Sequence, residues 1–223
     1  MANRQKSDQY LTHVVLTKEI VDDIVPDDLP KGIIVEPSAG IGTFVMPLRL
    51  AFPNRKIVAI EIDPFFKDAL DSMGATVRIK DFFDWKPKAS VPIPLIIGNP
   101  PFSLCEKFVQ RSLELTKQHG GKVIFLLRAA FLETAKRLEF VEKGPLKRVI
   151  ILSHRPSFIR YNEERTEYTY KGADRTMYAI FEWDWEWEHK PYLEFMDVHW
   201  SKEIEKYEAK MNRVEKPAPE VEK

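Results

Sequence analysis

The run from Gly98 to Phe102 combines residue types that could hold and orient a planar amine. Each prolyl ring excludes the helical conformation for the residue before it, so Asn99 and Pro100 are predicted to be extended at the end of a strand. The Asn99 side-chain oxygen and the Pro100 carbonyl could then accept the two amine hydrogens, while Phe102 stacks on the attached ring. Aligning the amine nitrogen with an electrophile can remove about 7–11 kcal/mol from a barrier, so the run predicts group transfer to an amine without a strong base. An ordinary tight turn between a strand and a helix is the structural alternative.

Three further features, each at the end of a predicted strand, indicate a nucleoside-bearing cofactor. A turn with Gly40 and Gly42 opens a helix, where the backbone can pass close to a ligand and unpaired N–H groups are available. Glu61 ends the next strand, where a carboxylate can accept hydrogen bonds from both ribose hydroxyls. Asp81 and Phe82 end the third strand and could meet the exocyclic amine and the ring of a base. Each feature also has a structural alternative: an ordinary glycine turn, a chance acid at the end of a strand, and a turn cap at Asp81.

Strands and helices alternate along the chain, which predicts a doubly wound α/β fold with a mostly parallel, seven-stranded sheet covered on both faces. The predicted strands are 33–36, 56–63, 75–80, 95–98, 122–127, 148–152 and 177–187. The predicted helices are 43–51, 64–73, 102–119 and 133–142. Because ligands bind at the carboxyl ends of such strands, this arrangement would bring the motifs together at one edge of the sheet.

The last predicted strand alternates apolar and acidic residues, with Phe181 and Trp183 on one face and Glu182 and Asp184 on the other. This is the period of a half-exposed strand, and it predicts an antiparallel strand at the edge of the sheet. The segment 155–175 is polar and aromatic without a clear period. We predict a long loop there, with a functional role because of its length.

Taken in order, these motifs resemble those of the S-adenosylmethionine-dependent amino-methyltransferases, and most closely the adenine-N6 DNA methyltransferases with an Asn-Pro-Pro-Phe motif. The resemblance covers most of the chain. Tyr10 to Thr12 is similar to the family's upstream cofactor element, although His13 stands where that element usually has proline. The segments 154–158 and 176–183 are similar to the closing segments of small phage and prophage members. The resemblance implies the Rossmann-like fold of class I methyltransferases.

The resemblance also implies a role for each matching residue. The residues implied to bind S-adenosylmethionine are Tyr10, Thr12, Glu36, Ser38, Gly40, Gly42, Glu61, Ile62, Asp81, Phe82 and Asn99. The residues implied to be catalytic, by holding the target adenine, are Asn99, Pro100, Pro101 and Phe102. A target base inside duplex DNA would have to be flipped out of the stack before the transfer.

No segment is long enough for a separate target-recognition domain, so the segment 155–175 is the sizeable candidate for substrate binding. Its candidate contact residues are Arg155, Phe158, Arg160, Arg165, Lys171 and Arg175. A solvated charged loop is the alternative to a nucleic-acid contact. DNA is the expected partner, but relatives with the same motif methylate adenine or guanine amines in RNA, or a glutamine amide in protein. A non-catalytic subunit that binds nucleic acid would keep the same fold.

The composition limits the other classes of function. The 223 residues carry 34 Lys and Arg against 34 Asp and Glu, so the formal net charge is zero and a nucleic acid must be held by a local patch. One cysteine, no Cys/His pair at ligand spacing and no long apolar run predict neither a disulfide, nor a metal site, nor a membrane span. We expect a soluble, cytoplasmic protein of prokaryotic or viral origin. Residues 1–190 would form the methyltransferase domain, and 191–223 a C-terminal extension with a frayed charged tail.

Overall fold

The computed structural model describes residues 10–142, 144–162, 164–166, 168–171 and 176–197, together with 202 and 204. These residues form eleven strands and five α-helices. The strands are β1 (Leu11–Thr12), β2 (Ile33–Glu36), β3 (Lys56–Glu61), β4 (Thr76–Ile79), β5 (Leu95–Gly98), β6 (Lys122–Arg128), β7 (Leu146–Leu152), β8 (Phe158–Tyr161), β9 (Tyr168–Lys171), β10 (Tyr178–Asp184) and β11 (Tyr192–Met196). The helices are α1 (Val14–Ile24), α2 (Val45–Ala51), α3 (Lys67–Ser72), α4 (Cys105–Lys117) and α5 (Ala135–Glu142).

Eight of the strands form the main sheet, in the order β11-β7-β10-β6-β5-β2-β3-β4. Neighbouring strands pair in parallel except at β10, which is antiparallel to both β6 and β7. The strand order reverses beside β2, which lies between β3 and β5. Such a reversal opens a crevice at the carboxyl ends of the strands, and this is where α/β proteins bind ligands. The predicted doubly wound, mostly parallel α/β fold is confirmed.

Two details of the sheet differ from the prediction of seven strands with an antiparallel strand at the edge. The antiparallel strand β10 lies inside the sheet, and all of its residues are buried. Glu182 is buried because it pairs with Lys147 and Arg148 of β7, and Asp184 because it pairs with Lys122 of β6. The eighth strand, β11, comes from the segment assigned to the C-terminal extension, and it pairs with β7 at the edge of the sheet. The charged tail after residue 204 lies outside the described residues.

Apolar side chains cover both faces of the main sheet. Helices α1 and α2 lie over one face, with Ile20 and Leu48 in its core. Helix α4 lies over the other face, where Phe108 and Val109 are packed. No helix in the described part of the chain is long and apolar enough to cross a membrane.

A second sheet is antiparallel and has the order β1-β8-β9. Leu11 of β1 lies opposite Ile159 of β8, and Thr12 lies opposite Phe158. The segment 155–175, predicted to be a long loop, therefore contains two strands. Strand β8 pairs with β1, which is far away in the sequence, so no local period indicates this pairing.

Candidate active site

The residues at the carboxyl ends of β2, β3, β4 and β5 line a cavity of about 680 Å³. Strand β1 contributes to one wall, and Arg128 at the end of β6 to another. The predicted site residues that line the cavity are Tyr10, Thr12, Glu36, Ser38, Gly40, Glu61, Ile62, Asp81, Phe82, Asn99 and Pro101. The fold thus brings together residues that are far apart in the sequence.

Glu61 and the glycine turn form one corner of this cavity. The Gly40 N–H donates to Glu61 Oε2 over 2.7 Å, and the Asp63 N–H donates to Oε1 over 2.9 Å. Gly40 has φ +51°, and a Cβ there would come within 2.5 Å of Leu11 Cδ2. The turn therefore requires glycine both for its conformation and for its contact with β1.

Glu36 lies beside Glu61 and is more deeply buried. Only 2% of its surface is exposed, and its Oε2 has no hydrogen-bond partner among the described residues. Burial, and then the nearby Glu61 carboxylate, raise the pKa of Glu36 well above its usual range. Burial also raises the pKa of Glu61, although backbone N–H groups partly offset this effect. Two carboxyl groups thus share one corner in which a positive charge would stabilise their ionised forms.

Asp81 and Phe82 lie on the cavity wall and also stabilise the turn that they begin. Asp81 Oδ1 accepts a hydrogen bond from the Phe83 N–H over 2.9 Å, which is the turn cap considered as its structural alternative. Phe82 is buried and stacks on Phe108 of α4, with ring centroids 5.2 Å apart. The second carboxylate oxygen of Asp81 leaves it able to serve a ligand as well.

Asn99, directly after β5, is held by the residues around it. Its Nδ2 donates to the Tyr10 carbonyl over 2.8 Å and to Thr12 Oγ1 over 3.0 Å, while Ser38 Oγ donates to the Asn99 backbone carbonyl over 3.3 Å. The remaining side-chain oxygen, Oδ1, is buried and has no partner among the described residues. Asn99 therefore presents one fixed, acceptor-only oxygen.

The residues after Asn99 divide between structural and site roles. The Pro101 carbonyl accepts the Leu104 N–H over 2.9 Å and so stabilises the turn that leads into α4. The Phe102 ring packs against Tyr10, with centroids 5.2 Å apart, and under the Arg128 guanidinium at 4.8 Å. Phe102 and Pro100 are not part of the cavity wall as described.

Gly42 also lies off the cavity wall. It has φ +82°, and a Cβ there would come within 2.7 Å of Met73 Sδ and 3.0 Å of Leu70 Cδ2. Gly42 thus allows the turn to pack closely on α3. Gly42 therefore supports the turn from behind the cavity wall, whereas the resemblance implies that it contacts the cofactor.

The candidate substrate residues around β8 are spread over different environments. Phe158 is buried, Arg155 is exposed, and the Arg160 guanidinium lies 4.4 Å from the centre of the Tyr10 ring. Arg165 pairs with Asp63 over 2.7 Å. Two further candidates give less information: Lys171 has a described backbone in β9, and Arg175 lies outside the described residues.

Arg165 joins the turn after β8 to the cofactor corner. Its guanidinium lies 4.9 Å from the centre of the Phe65 ring, and its partner Asp63 follows Glu61 closely in the chain. Hydrogen bonding to Asp63 raises the pKa of Arg165. Phe65 and Tyr161 add an edge-to-face contact with centroids 5.8 Å apart. The β8–β9 hairpin therefore contacts the rim of the cavity directly.

Sequence reasoning missed Arg128 and assigned no role to His13. Arg128 lines the cavity, and its position at the carboxyl end of a buried strand is the same signal that identified Glu61. His13 begins α1, where its Nδ1 accepts the Val15 N–H over 3.1 Å and burial lowers the pKa of His13 to about 4. A neutral imidazole thus caps the helix that follows Thr12. Among the described residues, no group of three or more His, Cys, Asp or Glu side chains could hold a metal ion.

Comparison with known proteins identifies methyltransferases as relatives. No protein-family profile matches the chain. It is 38% identical over 77 residues to the type II methyltransferase M.XamI of Xanthomonas campestris pv. amaranthicola, a match that covers 31% of this chain and 15% of that protein. It is 34% identical over 94 residues to the type II methyltransferase M.CvrRI of Paramecium bursaria Chlorella virus XZ-6E, covering 40% of this chain and 24% of that protein. The chain therefore matches less than a quarter of the length of either relative.

Solved structures with the same fold include two at low sequence identity. PH1948 from Pyrococcus horikoshii, assigned as an RNA methyltransferase, has a TM-score of 0.55 at 15% identity, covering 81% of this chain and 89% of that one. A modification subunit assigned to a type I restriction enzyme of Vibrio vulnificus YJ016 has a TM-score of 0.58 at 12% identity, covering 95% of this chain and 54% of that one. These comparisons confirm the resemblance to methyltransferases that the motifs predict, and the chain has the class I methyltransferase fold.

Proposed function

We propose that the chain is an S-adenosylmethionine-dependent methyltransferase that acts on the exocyclic N6 amine of adenine in DNA. The observation that carries this proposal is Asn99, whose nitrogen is bound by Tyr10 and Thr12 while its oxygen is buried without a partner among the described residues. A buried acceptor without a donor is costly, and native proteins rarely keep one without a reason. An amine on an aromatic base is a donor of the required kind.

The residues of the cavity fit S-adenosylmethionine. Glu61 has lone pairs left for ribose hydroxyls after accepting the Gly40 and Asp63 N–H groups, and Asp81 has a second oxygen for an exocyclic amine. Glu36 lies where it could face a positive charge. When bound, S-adenosylmethionine supplies a methyl group on a positively charged sulfur. The protein itself would bind the cofactor and the target amine, orient them, and exclude water from the site.

Orientation of the target amine is assigned to Asn99 and Pro100. Asn99 Oδ1 would accept one amine hydrogen. The Pro100 carbonyl, which does not line the cavity of the free protein, would accept the other when the base enters, and the nitrogen lone pair would then point toward the methyl group. The reaction needs no covalent link to the protein. Consistent with this, Cys105 is buried, and burial raises the pKa of its thiol, so that it remains protonated.

Cationic and aromatic groups around the cavity support a nucleic-acid substrate. The Arg128 and Arg160 guanidinium groups lie against Phe102 and Tyr10. Such groups bind phosphates and stack on bases. Ile62, on the cavity wall, is 66% exposed and could contact a base that enters. The two type II methyltransferases among the relatives further support DNA as the substrate.

Substitution of Asn99 tests the proposal. We expect Asn99→Ala to retain most of the cofactor affinity, because Gly40, Glu61 and Asp81 are unchanged, but to lose at least about a hundredfold in methyl transfer, because the oriented acceptor is gone. Asn54→Ala is the matched control, since Asn54 is exposed at the other end of β3. Cofactor affinity is measured by titration and transfer with labelled S-adenosylmethionine. Full activity in Asn99→Ala would refute the assignment.

The nature of the substrate is tested with the unaltered chain. Labelled cofactor is incubated in parallel with unmethylated DNA, with RNA and with a glutamine-containing protein, and DNA products are analysed for N6-methyladenine. Expression in cells that lack adenine methylation, followed by mapping of modified bases, would then define the sequence context. Methylation of RNA or protein but not of DNA would reassign the substrate, and cofactor binding without any product would indicate a non-catalytic subunit.

A further inference from the structure

Strand β1 holds the side-chain amide of Asn99 in one of its two orientations. An asparagine amide can be turned by half a rotation, which exchanges its donor NH₂ group and its acceptor oxygen. In this chain the Tyr10 carbonyl lies 2.8 Å from Nδ2. A carbonyl oxygen can only accept a hydrogen bond, so the side of Asn99 that faces Tyr10 must be the NH₂ group.

In the orientation that the Tyr10 carbonyl selects, Thr12 accepts the second amide hydrogen. Its Oγ1 lies 3.0 Å from Asn99 Nδ2, and only 2% of the Thr12 surface is exposed. Both amide hydrogens are therefore used by β1 and the residue before it. The oxygen is left for the cavity, where it meets only a group that donates a hydrogen bond.

We infer that β1 is a positioning element that locks Asn99 Oδ1 as an acceptor, and thereby makes the site selective for an amine over a carbonyl or an ether oxygen. This inference depends on the proposed function for its catalytic consequence. The turned amide would present NH₂ to the target, repel its N–H groups and place two carbonyl oxygens 2.8 Å apart at Tyr10. Neither contact is favourable, so the amide orientation that Tyr10 fixes is also the one in which Asn99 Oδ1 can accept a hydrogen from the target amine.

The pairing of β1 with β8 links the orientation of Asn99 to the substrate side of the cavity. Thr12 lies opposite Phe158 in the pairing of β1 with β8, and β8 in turn pairs with β9. The strand that orients Asn99 is thus the same strand that holds the candidate recognition hairpin. A substrate that displaces the hairpin would displace the acceptor as well.

Three threonine variants test the inference. We expect Thr12→Val, which keeps the shape but removes the hydroxyl, to lower the single-turnover rate about three- to tenfold at saturating cofactor and substrate, the effect of one neutral hydrogen bond. Thr12→Ser restores the hydroxyl and should recover most of this loss. Thr76→Val makes the same change at the start of β4, away from the cavity wall, and should leave the rate unchanged.

A second measurement does not depend on activity. Hydrogen exchange of the two Asn99 side-chain amide protons is followed by NMR in ¹⁵N-labelled protein, with Asn99→Ala to assign the resonances. We expect slow exchange in the unaltered protein and in Thr76→Val, and faster exchange in Thr12→Val. Rapid exchange in the unaltered protein would overturn the inference. So would a Thr12→Val variant with the same single-turnover rate and the same amide exchange as the unaltered protein. Either result would leave the methyltransferase assignment intact. Slow exchange in a protein that methylates none of the substrates would support the lock and refute the proposed function.

Discussion

Glu36 lies in an environment that differs strongly from that of an exposed carboxyl group. It is buried beside Glu61, one of its oxygens has no partner among the described residues, and its pKa is raised well above the usual range. A cation placed in that corner would favour the ionised form and lower the pKa again. Because the free protein holds the proton more tightly than the complex would, binding of a positively charged cofactor should release a proton.

This coupling predicts that cofactor affinity rises with pH over the range between the pKa values of Glu36 in the free and bound protein. Titration calorimetry in two buffers of different ionisation enthalpy measures the protons released on binding. We expect release in the unaltered protein and a smaller release in Glu36→Gln, which cannot ionise. If the heat of binding to the unaltered protein does not depend on the buffer, then Glu36 does not meet the positive charge.

Among the elements, strand β10 lies inside the sheet because its acidic side chains form ion pairs with the neighbouring strands β6 and β7. Glu182 is 1% exposed and pairs with Lys147 and Arg148, whereas Glu194 on the edge strand β11 is 40% exposed and pairs with Arg148. The alternation of acidic and apolar residues in β10 resembles an exposed face, yet β7 and β6 supply the opposite charges that allow it to be buried. A central strand with buried acids is stable only while these cations remain.

The two glutamates therefore differ in their expected effect on stability. Glu182→Ala should lower the free energy of unfolding by about 2–4 kcal/mol, because it removes the buried carboxylate that Lys147 and Arg148 share. Lys147 then keeps the longer contact with Asp184, over 3.6 Å, and Arg148 keeps its pair with the more exposed Glu194. Glu194→Ala removes a pair that solvent screens, and should cost less than about 1 kcal/mol. Urea denaturation of both variants gives the comparison. Equal losses in the two variants would mean that the β10 ion pairs do not hold the strand in the sheet.

At the scale of the whole molecule, local sequence predicts the elements that are buried on every side. The strands at 33–36 and 95–98 have the predicted bounds, because continuous apolar runs ended by Glu36-Pro37 and Gly98-Asn99 have no other stable place. The motifs that begin at Glu36 and Asn99 were predicted because they lie at the ends of these two strands. What depends on contacts across the chain was not predicted: the burial of Glu182, the pairing of β1 with β8, and the contact of Tyr10 with Asn99.

The net charge of the whole molecule limits how a polyanionic substrate could be bound. With 34 cationic and 34 acidic side chains, the protein has no global attraction for a polyanion, so the proposed DNA substrate would depend on the arginines near the cavity for phosphate contacts. The dependence of affinity on salt counts these contacts, since each one contributes about −0.9 to the slope of log affinity against log salt concentration for duplex DNA.

We therefore expect a shallow slope, with a magnitude below about 4, which corresponds to a few phosphate contacts. Arg155→Ala, which removes an exposed charge just before β8, should reduce the magnitude of the slope by about one. Lys31→Ala removes an exposed charge before β2, at the opposite end of the sheet, and should leave the slope unchanged. Fluorescence titrations of a labelled DNA duplex at several salt concentrations measure all three slopes. An equal effect of the two substitutions would mean that the overall field holds the DNA, and the hairpin side of the cavity would lose its role as the phosphate-binding surface.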